Sequence, residues 1–232
     1  MFFKTSGYAA SKRRMQCAIG WVVALSLLLG LSLGAAVAQP AARAATAPAT
    51  ARTVLVMGDS LSAAYGLSAA QGWVALTADR IGKTRPGWRV VNASISGETT
   101  AGGAARIDRE LKRSKPAVVV IELGANDGLR GLPLAQSRAN LDRMIRASKA
   151  TGAKVLLIGM RMPPNLGREY TKGFEDNFSA LAKQHGIAFL PFLLEPIALD
   201  RSAFQSDNLH PVASAQPKLR DHVWTQLSPL LQ

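Results

Sequence analysis

This 232-residue chain contains a few side chains whose types and spacing could do chemistry. They are a serine and, far downstream, a histidine that has an aspartate three residues before it. Ser60 follows the apolar run 53–57 within Gly-Asp-Ser-Leu-Ser, and Asp207 and His210 stand far downstream within Asp-Asn-Leu-His-Pro. A hydroxyl becomes a strong nucleophile when an imidazole takes its proton and a carboxylate fixes the imidazole tautomer. The three residues therefore predict a catalytic triad, although a serine after a strand could also be a simple helix N-cap.

Two further segments could stabilise the oxyanion that such a nucleophile creates. Gly97 lacks a Cβ, so its backbone N–H can approach a substrate closely. Asn126 offers a neutral amide donor. Ser60 is expected where a strand turns into a helix, which would direct its own N–H and the helix N-terminus at the oxyanion. Taken singly, Gly97 could be a turn glycine and Asn126 could form an Asx turn.

The other ionisable residues near these segments favour structural roles. Asp59 is interpreted as a hydrogen-bonding residue of the turn rather than as a catalytic acid. His185 precedes a glycine at a predicted helix end, where the helix dipole favours a cation. His222 is expected on the surface or flank of the terminal helix. No cluster of His, Asp and Glu has metal-ligand spacing, so we expect no metal site.

Apolar runs alternate with helical patterns from residue 53 to the end. Strands are predicted at 54–57, 89–93, 117–123, 154–160 and 187–190, and helices at 72–81, 104–113, 134–150, 173–185 and 213–227. This alternation predicts an α/β fold, a three-layer α/β/α sandwich with a mostly parallel five-stranded sheet. Sites in such sheets lie at the carboxyl ends of the strands. Ser60, Gly97 and Asn126 each follow a predicted strand, so we expect them to converge.

The first 38 residues have the features of a secretory signal peptide. Residues 1–14 carry four basic and no acidic residues, residues 17–38 are apolar or small, and Ala36-Val37-Ala38 predicts cleavage after Ala38. An uncleaved membrane anchor is the alternative. We expect a periplasmic protein, and the basic pair at 13–14 also permits twin-arginine export. Residues 39–52, rich in Ala, Pro and Thr, predict a flexible leader, which leaves 53–232 as a single domain.

The net charge of the chain is +13, and without residues 1–38 it is +9, from 24 basic and 15 acidic residues. Such a charge suits transient contact with an anionic phospholipid surface. It could equally be a solvated basic surface without a partner. The basic residues are scattered along helices without an aromatic-interleaved cluster, so we expect no nucleic-acid partner. We expect a monomer.

Four sequence blocks occur in the order and spacing of a known enzyme family. They are 58–62, 96–100, 124–127 and 207–211. With them the chain resembles the SGNH (GDSL) hydrolases, in particular their bacterial periplasmic thioesterase/lysophospholipase (arylesterase) branch, over essentially all of residues 53–230. The resemblance implies the flavodoxin-like SGNH fold. It also implies Ser60 as nucleophile, Asp207 and His210 as its partners, and an oxyanion hole from Ser60, Gly97 and Asn126.

The same resemblance implies acyl-enzyme chemistry on small-molecule acyl esters and thioesters, including acyl-CoA, lysophospholipids and aryl esters, without a cofactor. In the segment 128–133, here called the flap segment, two glycines bracket Leu129 and Arg130. With Leu132, these residues are predicted to form a substrate-binding flap over the acyl chain. A plain surface loop is the alternative. A carbohydrate O-acetylesterase and a non-catalytic lipid- or surface-binding module remain alternatives for the whole protein.

Overall fold

The computed structural model describes residues 51–232, and in it five strands form one parallel sheet in the order β2-β1-β3-β4-β5. The strands are β1 (Arg52–Gly58), β2 (Trp88–Asn92), β3 (Val118–Glu122), β4 (Lys154–Ile158) and β5 (Ala188–Leu190). Every neighbouring pair is parallel. This architecture confirms the predicted α/β class and its five-stranded sheet.

Between residues 51 and 232 the structure has six α-helices around the sheet. They are α1 (Trp73–Thr84), α2 (Thr100–Ser114), α3 (Ala125–Leu129), α4 (Leu134–Ala150), α5 (Arg168–His185) and α6 (Gln216–Leu227). Helix α1 packs against α6, while α4 packs against both α2 and α5. Because α1, α2, α4 and α5 each carry the chain back to the start of the next strand, the loops that follow the strands all open at one edge.

The core lies between these layers, and its centre is formed by β1 and β3. All five residues of β3 are buried, as expected for a strand covered on both faces. In the register of the two strands, Met57 pairs with Ile121 and Gly58 pairs with Glu122. The two central strands therefore end level with each other, which places the turn after β1 beside the turn after β3.

Several element boundaries differ from those predicted. Helix α5 begins at Arg168, five residues before the predicted 173, because its first turn is largely exposed and shows no apolar periodicity. Helix α6 begins at Gln216, after a short 3-10 helix at Ala213–Ala215. Strand β1 begins at Arg52, within the predicted leader, and the N–H of Arg52 donates to the carbonyl of Gly87 at 2.7 Å.

The predicted signal peptide, and the leader up to residue 50, lie outside the described residues. Within residues 51–232, none of the helices combines the length and the apolar character that a membrane crossing requires.

Candidate active site

Ser60, His210 and Asp207 form a continuous hydrogen-bonded chain. Nε2 of His210 lies 2.8 Å from Oγ of Ser60, and Nδ1 of His210 lies 2.7 Å from Oδ2 of Asp207. These are hydrogen-bond distances for a nucleophile, a base and the carboxylate that orients the base. The structure thus brings together residues that stand 150 positions apart in the sequence.

Hydrogen bonds within the loop that carries His210 hold its conformation. Oδ1 of Asp207 accepts hydrogen bonds from the N–H groups of Leu209 and His210, at 2.9 and 3.0 Å. Asn208 between them has a φ of 57°, a left-handed conformation that asparagine tolerates better than most residues. An antiparallel bridge between Phe204 and Pro211 closes the base of the loop. The Asp-x-x-His spacing is therefore suited to a tight loop with a fixed imidazole.

These contacts also set the charge of Asp207. The hydrogen bond from His210, helped by the two backbone N–H groups, lowers the pKa of the Asp207 carboxyl from 3.8 to about 2. Asp207 therefore stays ionised at neutral pH, and it can hold the neutral imidazole in one tautomer and stabilise an imidazolium.

Ser60 lies in a succession of turns, not at the start of a helix as expected. The N–H of Ala63 donates to the carbonyl of Asp59 at 2.9 Å, and the N–H of Tyr65 donates to that of Ser60 at 3.1 Å. Ala64 and Gly66 then adopt left-handed conformations, which end any helical continuation, and α1 begins only at residue 73. The backbone N–H of Ser60 is available at this turn, but no long helix supplies a dipole behind it.

Gly97 and Asn126 face the same cleft as Ser60 and His210. Gly97 has a φ of 80°, so the residue at this position must tolerate a left-handed backbone as well as close approach. Nδ2 of Asn126 donates to the carbonyl of Glu98 at 3.0 Å and to Oδ2 of Asp59 at 3.3 Å. A substrate oxyanion at this place would compete with the longer of these bonds.

A buried ion pair supports the loop of Gly97. The guanidinium of Arg106, on α2, donates to the Glu98 carboxylate through Nε, at 2.8 Å to Oε1, and through Nη2. Only 9% and 8% of the two side chains are exposed. On the exposed side, Nη2 of Arg130 donates to the carbonyl of Gly97 at 3.2 Å. The loop is thereby fixed from two directions.

Sequence reasoning missed Glu122, a carboxyl group buried at the end of β3. The hydroxyl of Ser62 donates to its Oε2 at 2.6 Å. Burial, and then the charge of Asp59, raises the pKa of Glu122 well above its usual value. Burial likewise raises the pKa of Asp59 to about 6, against the opposing hydrogen bond from the N–H of Leu61. A lone carboxylate at the end of an apolar strand was the signal that could have indicated this pair.

The cleft next to Ser60 has a volume of about 610 Å³. Apolar side chains from several loops line most of it, and no role at the site was predicted for them; they include Met160, Met162, Phe192, Leu194, Ala198 and Phe204. Of the three predicted flap residues, Leu129 lines the cleft, whereas Arg130 and Leu132 are not among the lining residues. The carbonyl of Leu132 instead accepts a hydrogen bond from the Tyr170 hydroxyl at 3.0 Å.

In the part of the chain that the structure describes, no group of three or more His, Cys, Asp or Glu side chains is placed to hold a metal ion.

Comparison with known proteins gives one consistent family. Residues 56–216 match the model of the GDSL-like lipase/acylhydrolase family. Esterase TesA of Pseudomonas aeruginosa is 50% identical over 186 residues, which cover 80% of this chain and 92% of that protein. The thioesterase 1/protease 1/lysophospholipase L1 of Escherichia coli K12 is 42% identical over 183 residues, 79% of this chain and 86% of that protein.

Comparison with solved structures leads to the same family. The crystal structure of TesA matches with a TM-score of 0.75 at 50% identity, over 77% of this chain and 99% of that one. These findings confirm the resemblance, the fold and the hydrolase activity predicted from the sequence. The chain belongs to the GDSL-like lipase/acylhydrolase family, and it is an acylhydrolase of the SGNH type.

Proposed function

We propose that this acylhydrolase cleaves carboxylic esters and thioesters through an acyl-enzyme formed on Ser60. The observation that carries the proposal is the continuous chain from Asp207 through His210 to Ser60, at the wall of an apolar cleft. The names of the relatives, an esterase and a thioesterase/lysophospholipase, support the same two bond types.

The first half of the reaction forms the acyl-enzyme. Nε2 of His210 takes the proton of Ser60 as Oγ bonds to the acyl carbon, and the carbonyl π electrons move onto oxygen. The N–H groups of Ser60 and Gly97, together with Nδ2 of Asn126, stabilise this oxyanion. The intermediate then collapses, the bond to the leaving alkoxide or thiolate breaks, and His210 returns the proton to the leaving group.

The second half releases the acid by the same steps in reverse. A water molecule gives a proton to His210 and adds to the acyl carbon, and the oxyanion again meets the three donors. Collapse breaks the bond to Oγ, which recovers its proton from the imidazolium. Asp207 stays ionised throughout and balances the positive charge on His210.

The size and lining of the cleft favour an acyl chain as the group bound beside Ser60. Each CH₂ buried there would contribute about 0.8 kcal/mol. An acetyl group would leave most of the roughly 610 Å³ unfilled, which argues against a carbohydrate O-acetylesterase. Leu129, which lines the cleft, is the flap residue that we propose to contact the chain; Arg130 is proposed to act through Gly97, and Leu132 to fix the flap segment through Tyr170.

We also propose that the protein acts after export, as a monomer that contacts anionic phospholipid transiently. Residues 1–38 supply the features of a cleaved signal peptide, and the charge of +9 that remains supplies the attraction to a negative surface. N-terminal sequencing of the protein recovered from the periplasm would test cleavage after Ala38. Sedimentation with anionic and with neutral vesicles would test the contact.

One set of variants tests the catalytic proposal. Ser60→Ala should remove nearly all hydrolysis of p-nitrophenyl esters, acyl-CoA and lysophospholipid, and it should abolish labelling by a fluorophosphonate. Ser179→Ala, an exposed serine on α5, is the matched control and should behave as the wild type. A folded Ser60→Ala protein with wild-type turnover would overturn the proposal.

A further inference from the structure

Tyr65 is a cleft residue that the catalytic assignment leaves without a role. The centroid of its ring lies 4.5 Å from that of His210, and the two ring planes are inclined by 38°. Tyr65 lines the cleft with 52% of its surface exposed. Burial in the core therefore does not explain why an aromatic side chain stands here.

The backbone on both sides of Tyr65 is left-handed. Ala64 has a φ of 59° and Gly66 a φ of 74°. A left-handed alanine costs about 1–2 kcal/mol, which the surrounding contacts must offset. Hydrogen bonds from the N–H of Tyr65 to the carbonyl of Ser60, and from that of Leu67 to the carbonyl of Ala64, hold the turn at 3.1 and 3.0 Å. Strain of this kind is characteristic of functional sites.

Gln205 fastens this turn to the loop of His210. Its Nε2 donates to the carbonyl of Tyr65 at 2.9 Å and to that of Pro211 at 3.2 Å. Its backbone N–H donates to the carbonyl of His210 at 2.8 Å. A Cβ on Gly66 would collide with the Oε1 of Gln205. Gln205 thus links the backbone of the Tyr65 turn to the backbone of the His210 loop, which keeps the two rings close together.

Four groups face the imidazole. Asp207 is hydrogen-bonded to Nδ1 and Ser60 to Nε2. The Asp59 carboxyl lies close enough for its charge to interact with His210. The ring of Tyr65 packs beside the imidazole ring. The face of an aromatic ring is electronegative, and it attracts a cation within about 6 Å of its centroid. It attracts an imidazolium more than a neutral imidazole, so the contact strengthens when the proton leaves Ser60.

We propose that Tyr65 is a positioning residue that holds the ring of His210 toward Ser60 and stabilises its imidazolium form during proton transfer. This role rests on the proposed function of His210 as the base. Within residues 51–232 the Tyr65 hydroxyl makes no hydrogen bond, so the ring alone carries the effect.

Two substitutions separate the aromatic face from simple bulk. Tyr65→Phe keeps the ring and should retain near-wild-type kcat and pH dependence. Tyr65→Leu keeps an apolar side chain without the electronegative face. We expect it to lower kcat about 3–5-fold, with less change in KM, and to move the acid-side midpoint of the kcat/KM profile down by about 0.5 pH unit. Better hydration of His210 beside the smaller leucine would move the midpoint up instead.

The outcomes have distinct meanings. Equal kcat and equal midpoints in the Phe and Leu variants would overturn the role of Tyr65, as would a midpoint that rises in Tyr65→Leu. Loss of activity in Tyr65→Phe equal to that in Tyr65→Leu would also overturn it. Gln205→Ala, which releases the turn but keeps the ring, should lower kcat in the same direction, and an unchanged kcat would contradict the fastening. Failure of the proposed function would appear separately, as turnover that survives Ser60→Ala.

Discussion

Asp59 and Glu122 are neighbouring carboxyl groups buried beside the turn of Ser60, with 0% and 2% of their surfaces exposed. The Ser62 hydroxyl donates to Oε2 of the Glu122 carboxyl at 2.6 Å. Burial favours the protonated form of both acids, so both pKa values lie above those of the unfolded chain. The site therefore carries a stability cost at neutral pH.

The first prediction concerns the pH dependence of stability. An acid whose pKa is higher in the folded than in the unfolded chain contributes to the free energy of unfolding at pH values below its unfolded pKa. This contribution is lost as the pH rises through its folded pKa. Glu122→Gln removes one such group but can still accept from Ser62. The free energy of unfolding of Glu122→Gln, relative to the wild type, should therefore increase between pH 4 and pH 8, by about 1.4 kcal/mol per unit of the pKa shift removed. Urea unfolding across this range measures it, and parallel curves would contradict it.

A second prediction concerns Asn126. Its amide is proposed to donate chiefly to the tetrahedral oxyanion, so Asn126→Ala should lower kcat by about 10²–10³-fold with a smaller change in KM. Steady-state kinetics on one p-nitrophenyl ester measures both constants. Asn140→Ala, on α4, is a control because its Nδ2 donates to Thr100 away from the cleft. A raised KM with unchanged kcat would move Asn126 to substrate binding.

The flap segment gives a third prediction. Leu129→Asn places a polar group in the lining, so log(kcat/KM) should fall progressively with acyl length relative to the wild type. Leu132→Asn, outside the lining, should give a line nearly parallel to that of the wild type. A p-nitrophenyl ester series from acetyl to a long chain makes the comparison. If the Leu129→Asn line were also parallel, the flap segment would not contact the chain.

The ion pair between Arg106 and Glu98, which supports the loop of Gly97, gives a fourth prediction. Arg106→Leu leaves the Glu98 carboxylate buried without its main partner, which should lower the free energy of unfolding by about 3–5 kcal/mol. Arg143→Ala removes a surface pair with Asp108, and it should cost less than about 1 kcal/mol. Urea unfolding of the two variants at one pH tests the contrast. Equal costs would show that the buried pair does not support the loop.

Much of the architecture was readable from the sequence because it depends on local patterns. The unbroken apolar run of β3 indicated a central strand, and the alternation of strands and helices indicated a parallel sheet with loops at one edge. The pair Asp207 and His210 could be predicted because three residues of spacing place both on one tight loop. Ser60, Gly97 and Asn126 could be predicted to converge because each follows a strand of the same sheet.

What only the tertiary structure decided involves contacts between elements that no local pattern links. His185 lies in the last turn of α5, where the helix dipole favours it as predicted, and its Nε2 also lies 2.6 Å from Oδ1 of Asp142 on α4. His222 lies half-buried on α6, where the surface or flank of the helix was predicted, and its Nε2 is bonded to the carbonyl of Phe192 at 3.0 Å. Such partners depend on how two helices, or a helix and a loop, pack against each other.

The same reason accounts for the parts of the site that were missed. Tyr65 meets His210, and Glu122 meets Ser62, only after β1 and β3 are in register and the final loop folds back over them. Sequence by itself determined which residues could do the chemistry and at which edge of the sheet they would gather. The folded chain decided which neighbours set their charge and orientation, because burial and distances of a few ångströms arise from long-range packing.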